Sequence, residues 1–407
     1  MPQLLGIKIQ NFRSLADVTL GQIGYQQGIE LPPLMCFIGP NGCGKSTLLD
    51  AFGFLADCLR EGVESACDKP QRGGFENLRT KGAQGPIEFD LYYRQDKDSR
   101  PITYHFAIDA INGIPAVTEE TLRQRRKGQK HGQPFPFLRL QNGEGEVWSG
   151  EGTEKEEGRE KEEIKLSDRR KLGITTLGQF AEHPRIVALR TYLEGWYLSY
   201  FIPDAARQLS PAGAQKHLDR TGENLGNFVQ YLERTYPDRF GSILTKIGQR
   251  IPGLVKITHK RSDDNRLLMQ FNEQGYGDPF FQNSMSDGTL KMFAYLLLLE
   301  DPEPFPFIGI EEPENGLYHK LLEQLAAEFR KHAERSQGQT QSLVTTHSPY
   351  FVDALKPEQV WLLEKNDQGF TKALRTVDIP TIQELRNEGI PLGSLWYSNH
   401  LEERLSS

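Results

Sequence analysis

The sequence predicts an α/β protein with a parallel sheet and a phosphate-binding loop. Three observations predict it. The apolar run Leu34-Met35-Cys36-Phe37-Ile38 leads into Gly39-Pro40-Asn41-Gly42-Cys43-Gly44-Lys45-Ser46-Thr47, and then into a segment with Leu48, Leu49, Phe52 and Leu55 on one helical face. The last third of the chain alternates helical and strand-like segments, as a parallel sheet with helical crossovers requires. One of those strands, Phe307-Ile308-Gly309-Ile310, runs straight into the paired acids Glu311 and Glu312.

The glycine-rich stretch fits G-x-x-x-x-G-K-[ST] in the strand–loop–helix context that the chemistry needs. Backbone amides of Asn41, Gly42, Cys43, Gly44, Lys45, Ser46 and Thr47 are expected to face phosphate oxygens at the positive end of the helix. Lys45 is expected to reach the β- and γ-phosphates, and the Ser46 hydroxyl to ligate Mg²⁺. The cofactors implied are ATP and Mg²⁺.

The chain has 407 residues, enough for more than one lobe, and ordinary charged and apolar fractions. Its net charge of −7 argues against a wholly basic nucleic-acid coat and leaves room for a local basic groove. The start lacks a signal-peptide pattern, and the longest apolar run, Met292 to Leu299, is too short to span a bilayer, so a cytoplasmic protein with no membrane partner is expected. The four cysteines, Cys36, Cys43, Cys58 and Cys67, fit no zinc spacing and are expected as free thiols. Oxidation or alkylation of Cys43, inside the loop, is expected to block nucleotide entry.

Three segments follow from the patterning. Residues 1–183 are expected to form an N-terminal lobe with the phosphate loop and a mixed or antiparallel sheet, with strands at Leu4–Leu20, Ile87–Tyr93 and Ile102–Ile108. Within it, residues 143–165 are almost devoid of apolar side chains and read as a mobile loop or frayed helical arm between strands. The basic cluster Arg123, Arg125, Arg126, Lys127 and Lys130 either touches a phosphate backbone or forms a solvated hairpin tip, the tip being the preferred reading. Residues 184–251 read as a helical insertion, closed by Pro252-Gly253. Residues 252–407 read as a C-terminal lobe in which Ser342–Thr346 is a strand delivering His347 to the sheet edge.

The acids at the end of Phe307–Ile310 complete a hydrolytic set. Glu311 is expected to hold Mg²⁺, directly or through water, and Glu312 to polarise water and take its proton. Asn283-Ser284-Met285-Ser286-Asp287-Gly288-Thr289 precedes a strongly apolar helix, and Ser286 reads as a helix cap that can also bind a phosphate oxygen. His347 is placed to hydrogen-bond a γ-phosphate.

These motifs come in the order found in ABC-type ATPase heads, and the chain resembles the RecF/SMC/overcoming-lysogenisation-defect branch rather than transporters. Ile7-Lys8-Ile9-Gln10-Asn11-Phe12-Arg13-Ser14 is similar to that branch's opening strand, and Met285-Ser286-Asp287-Gly288-Thr289 to its signature motif. Glu311-Glu312-Pro313-Glu314-Asn315-Gly316-Leu317 resembles its Walker B and D-loop, with Glu311 for the usual Asp. Thr346-His347-Ser348-Pro349 resembles its His switch, and the tail Leu392–Tyr397 resembles stand-alone predicted AAA-family ATPases of this group. The resemblance implies a P-loop NTPase fold of ABC-ATPase head type. It implies catalytic roles for Glu312, His347 and Lys45, phosphate contacts from Arg13, and contacts from Ser286 and Gly288 to ATP held by a second protomer. Gln179 is the best candidate for the family's glutamine loop, against the plainer reading of a surface glutamine.

A signature helix that cannot reach its own P-loop implies a homodimer with two ATP molecules sandwiched between protomers, with slow basal turnover. Heptad arrays are missing, and 60 residues follow His347, too few for a fused nuclease, so a bare ATPase module is expected. The leading expectation is a switch that senses or clamps DNA in repair or phage defence with a separately encoded effector such as a nuclease. The alternative is a nucleotide-gated protein scaffold or sensor that does not bind DNA; a transporter ATPase fits least.

Overall fold

The computed structural model describes residues 2–25, 28–129, 131–149, 160–208, 213–263, 267–335 and 339–398. Its centre is a six-stranded sheet in the order Trp196–Ser199, Phe307–Glu311, Gln341–Thr345, Leu34–Ile38, Val360–Lys365, Thr371–Arg375. The first five strands are parallel and the last is antiparallel. The segments 1–183, 184–251 and 252–407 each contribute to it.

Apolar residues on both faces make these strands continuous hydrophobic runs, as a sheet covered on two sides demands. Met35, Phe37, Phe307 and Leu343 belong to one buried cluster, with the helix Lys45–Glu61. Leu34, Cys36, Ile38, Ile308, Ile310 and Val344 belong to a second, with the helices Asp287–Leu299 and His319–Arg335. Phe52 stacks on Phe307 at 5.0 Å between ring centroids and lies 5.3 Å from Trp196, which seats the phosphate-loop helix against the acid-bearing strand. A buried aromatic of this kind contributes about 2–3 kcal/mol. A Cβ on Gly309 would lie 2.3 Å from Leu198 Cδ2 and 2.7 Å from Leu49 Cδ1, so a larger residue would push these packed leucines aside.

The second sheet has eight strands, all antiparallel, in the order Leu15–Gly21, Gln3–Phe12, Ile87–Arg94, Ile102–Ile111, Ile114–Gln124, Phe135–Gln141, Glu144–Ser149, Glu160–Lys165. Asn112 and Gly113, both at positive φ, make the hairpin turn that their sequence predicts. A third sheet joins Leu254–Arg261, Leu267–Glu273 and Phe280–Phe281.

Two expectations are corrected. Glu144–Ser149 and Glu160–Lys165 are paired strands, not a loop or helical arm. A short apolar face, with Val147 buried in the core and Ile164 packed against it, is joined by cross-strand charge: Lys165 bonds Glu144 at 2.8 Å, Lys161 pairs with Glu146, and Trp148 packs on Phe135. The stretch 150–159 lies outside the described residues. Trp196–Ser199, inside the segment read as helical, is an edge strand of the central sheet. The helices Pro184–Glu194, Leu225–Thr235 and Pro237–Arg250 surround it.

The basic cluster is only partly a solvated tip. Arg125 lies over the Tyr25 ring at 4.3 Å and Arg126 over Phe135 at 4.5 Å, while Lys130 lies outside the described residues. All four cysteines are buried and free. Among the described residues no helix is long and apolar enough to cross a membrane.

Candidate nucleotide site

The phosphate loop leaves the C-terminal end of Leu34–Ile38, between the strands that deliver His347 and carry Trp361. Its turns need glycine: Gly39, Gly42 and Gly44 all have positive φ. A Cβ on Gly39 would lie 2.1 Å from the Leu363 carbonyl oxygen, and one on Gly44 2.3 Å from Thr371 Oγ1. Gly44 is the N-cap of the helix Lys45–Glu61 and provides no side-chain cap. Among the described residues no protein acceptor takes the amides of Gly42, Gly44, Ser46 or Thr47. Such a cradle of unpaired donors at a helix N-terminus fits a polyphosphate.

Lys45 is buried, and its ammonium donates to the carbonyls of Gly39 at 2.9 Å and Pro40 at 3.1 Å. Burial pulls its pKa down, and Cys43, Glu312 and Glu314 pull it back up. The Cys43 thiol is buried and its pKa raised by desolvation, opposed by Lys45, which disfavours the thiolate that oxidation or alkylation needs.

Two anchors of this loop carry no sequence signal. Thr371 Oγ1 donates to the Cys43 carbonyl and accepts from Ser14 Oγ, each at 2.8 Å, and the Thr371 amide donates to the Ser14 carbonyl at 2.8 Å. The strand Thr371–Arg375 and the turn after the opening strand thus clamp the loop from residues hundreds of positions apart.

The acid-bearing strand, Phe307–Glu311, ends beside the strand that precedes His347, with Glu311 in register with Thr345. Glu312 turns the chain at φ 40, a left-handed conformation that is uncommon for a residue with a side chain. Its amide donates to the Thr345 carbonyl at 3.0 Å. Glu312 Oε1 lies 3.2 Å from His347 Nε2, and Asn315 Nδ2 donates to Glu312 Oε2 at 3.2 Å. The His347 amide donates to Glu314, whose other oxygen is buried without a partner among the described residues. Burial and the nearby Lys45 lower the His347 pKa, while Glu312 raises it.

Glu311 is half-buried and Ser46 exposed. Among the described residues no cluster of three or more His, Cys, Asp and Glu forms a metal site. One carboxylate and one hydroxyl suit Mg²⁺, which keeps waters and takes substrate phosphates as its other ligands.

Ser286 is the N-cap of Asp287–Leu299: its Oγ accepts the Thr289 amide at 3.2 Å and is exposed. A Cβ on Gly288 would lie 3.0 Å from the Gly316 carbonyl, so the Ser286 loop rests directly on the turn at Gly316 of its own chain.

Arg13 also has positive φ, at 49, and its guanidinium is engaged. It pairs with Asp50 at 3.1 Å and donates to the Gln71 carbonyl at 2.8 Å. Asp50 in turn pairs with the buried Arg72, which reaches Asp57 at 2.9 Å. Gln179 is exposed, and its amide donates to Thr175 in its own turn at 3.3 Å, with no bond to the phosphate loop among the described residues.

A family model described as "AAA domain, putative AbiEii toxin, Type IV TA system" matches residues 34–353. Comparison with curated proteins found no match. Among solved structures, an SMC head bound to the C-winged helix domain of ScpA gives a TM-score of 0.54 at 13% identity, covering 91% of this chain and 97% of the other. An SMC head with an extended coiled coil, bound to the C-terminal domain of ScpA and derived from Pyrococcus furiosus, gives 0.50 at 14% identity, covering 95% and 100%. At such identities the likeness concerns the fold, which is that of SMC heads, the ABC-ATPase form of the P-loop NTPases.

Proposed function

The chain belongs to this AAA-domain family, and from that premise we propose that it is an ATP-hydrolysing switch that closes as a homodimer around two Mg²⁺-bound ATP molecules. The observation that carries the reading is the Glu312–His347 pair at the sheet edge, close enough to the phosphate loop for Lys45 to bias His347.

In this reading the amides of residues 41–47 and Lys45 hold the phosphates of the substrate, while Ser46 and Glu311 hold Mg²⁺. Bound Mg²⁺ supplies charge neutralisation on the phosphates. Glu312 accepts a proton from the water that attacks the γ-phosphorus, as the bond to the ADP oxygen breaks. Asn315 and His347 fix the Glu312 carboxylate on two sides, which restrains its rotamers before substrate arrives. Ser286 and Gly288 serve the triphosphate of the second copy. The γ-phosphate is then the only element of the sandwich that turnover removes, and the closed state loses its differential affinity when it goes.

The test is phosphate release with Mg²⁺-ATP, together with gel filtration of Glu312→Gln protein. Turnover in the parent, none in the variant, and an ATP-dependent dimer in the variant support the reading. A variant that hydrolyses as fast as the parent overturns the role of Glu312.

We propose further that the switch acts in DNA repair or phage defence with a separately encoded effector. The second reading, a nucleotide-gated scaffold that binds protein and not DNA, draws on the net charge of −7 and on the guanidiniums of Arg125 and Arg126 being taken up by aromatic rings. ATPase assays with duplex DNA across a salt series separate the two, because phosphate contacts make stimulation fall steeply with salt.

A further inference from the structure

The Ser286 loop has an electrostatic conflict within it. The N-terminus of Asp287–Leu299 attracts anions, and Ser286 offers its exposed hydroxyl there. The next residue, Asp287, places a carboxylate in the first helical turn, with its side chain 55% exposed. A carboxylate there is good for the helix by itself but repels a second anion brought to the same end.

Arg207 answers that charge. It ends the short helix Pro203–Arg207, and its guanidinium pairs with Asp287 while donating to the Met285 carbonyl at 3.0 Å. One cation therefore grips the residues on both sides of Ser286. Arg207 is itself braced by Asp204 at 2.5 Å, and Gln282, buried before the loop, donates to the Ala206 carbonyl at 3.4 Å. The brace starts at the acid-bearing strand: Ser199, four residues before Pro203, is in parallel register with Ile310, next to Glu311.

We propose that Arg207 is the positioning and charge-neutralising residue of the Ser286 loop, cancelling Asp287 so that the loop can accept the triphosphate of a second copy. The inference rests on the dimer proposed above. It assigns Asp287 no contact with substrate: the carboxylate orients Arg207 and the loop, and Arg207 removes the repulsion.

The experiment is sedimentation of the Glu312→Gln protein with Mg²⁺-ATP, alone and combined with Arg207→Ala, Asp287→Asn, or both. Arg207→Ala is expected to raise the concentration for half-dimerisation about tenfold or more, and Asp287→Asn on top of it to bring that concentration back within about threefold of the parent. Rescue of association by removing the opposite charge, with the melting temperature unchanged throughout, is what a merely structural arginine does not give. If Arg207→Ala associates like the parent, or stays weak after Asp287→Asn while both proteins melt like the parent, the inference is overturned. If Arg207→Ala does not fold, Arg207→Lys and Arg207→Gln carry the same test: lysine is expected to retain association and glutamine to lose it, and equal behaviour overturns the inference. A parent that fails to associate at all overturns the dimer itself, and this shows before any change at Arg207.

Discussion

Glu312 Oε1 and His347 Nε2 stand 3.2 Å apart, joined across the ends of two neighbouring parallel strands. Neither strand alone creates the contact. It depends on the register that sets Glu311 opposite Thr345 and on the left-handed turn at Glu312. That geometry places an acid–base pair at the edge where the phosphate loop also opens, and it separates binding from turnover in the variants that follow.

Glu312→Gln is expected to bind ATP as the parent does and to lose hydrolysis by about 10²- to 10⁴-fold, the range for removal of a general base. His347→Ala is expected to lower kcat more than it raises KM, because it orients the base while the loop amides still hold the phosphates. Steady-state phosphate release and equilibrium binding of a fluorescent ATP analogue check both.

Lys45→Ala is expected to abolish the nucleotide-induced rise in melting temperature. A ligand at a hundred times its Kd stabilises the protein that binds it by about 2.7 kcal/mol. That stabilisation is expected in Glu312→Gln and missing in Lys45→Ala. Thermal melts with and without Mg²⁺-ATP decide it.

Thr371→Val is expected to raise KM several-fold with little change in kcat. The substitution removes the hydroxyl that ties the Cys43 carbonyl to Ser14 and leaves a buried carbonyl without its partner, a loss of about 1–3 kcal/mol. The side chain lies behind the loop, so a large fall in kcat at saturating ATP would show that its role is misassigned.

Arg72→Met is expected to cost about 1–3 kcal/mol of stability, because Asp50 and Asp57 lose the buried guanidinium they share while Asp50 keeps Arg13 and Asp57 keeps Lys69 and Arg220. Chemical denaturation reads the change as a lower midpoint. Nucleotide binding is expected to weaken in the same variant, since Asp50 then has only Arg13 to hold.

Stability is expected to fall as pH rises from about 4.5 to 7, in part through Glu120. Burial pushes its carboxyl up to about 7, against the Ile174 and Gly173 amides and the Tyr104 hydroxyl, which pull it down. Across that window the folded protein holds a proton that the unfolded chain has released, so raising the pH favours unfolding, by about 3 kcal/mol once the window is crossed. Glu120→Gln is expected to flatten this part of the profile in denaturation curves taken between pH 4.5 and 8. An unchanged slope would clear Glu120 of the effect.

The parts of the site that lie within one short stretch of chain were legible in the sequence. The phosphate loop, the acid-ended strand and the His347 strand each combine a local motif with local periodicity, and the fold class follows from their order. Contacts made by tertiary packing left no such trace. Nothing near Ser14 or Thr371 marks them as anchors for a loop around Cys43, and Arg13 gives no sign that Asp50 engages it. Trp196–Ser199 is too short for its period to be read, and its flanks are helical. The strands Glu144–Ser149 and Glu160–Lys165 looked like a loop because only Val147, Trp148 and Ile164 among many charged residues pack in or against the core, too few to show a period. That the Cys43 thiol is buried could not be read from its neighbours in sequence.

The strand Leu34–Ile38 is flanked in the central sheet by Gln341–Thr345 and Val360–Lys365. On a ribosome the phosphate loop therefore emerges before both and stays without them for roughly 15 to 65 s, at ordinary rates of about 5–20 residues per second. Nascent chains stalled before Val360 should be unable to retain ATP, and this interval is when the apolar run beside the loop is most exposed to mispairing or in need of a chaperone.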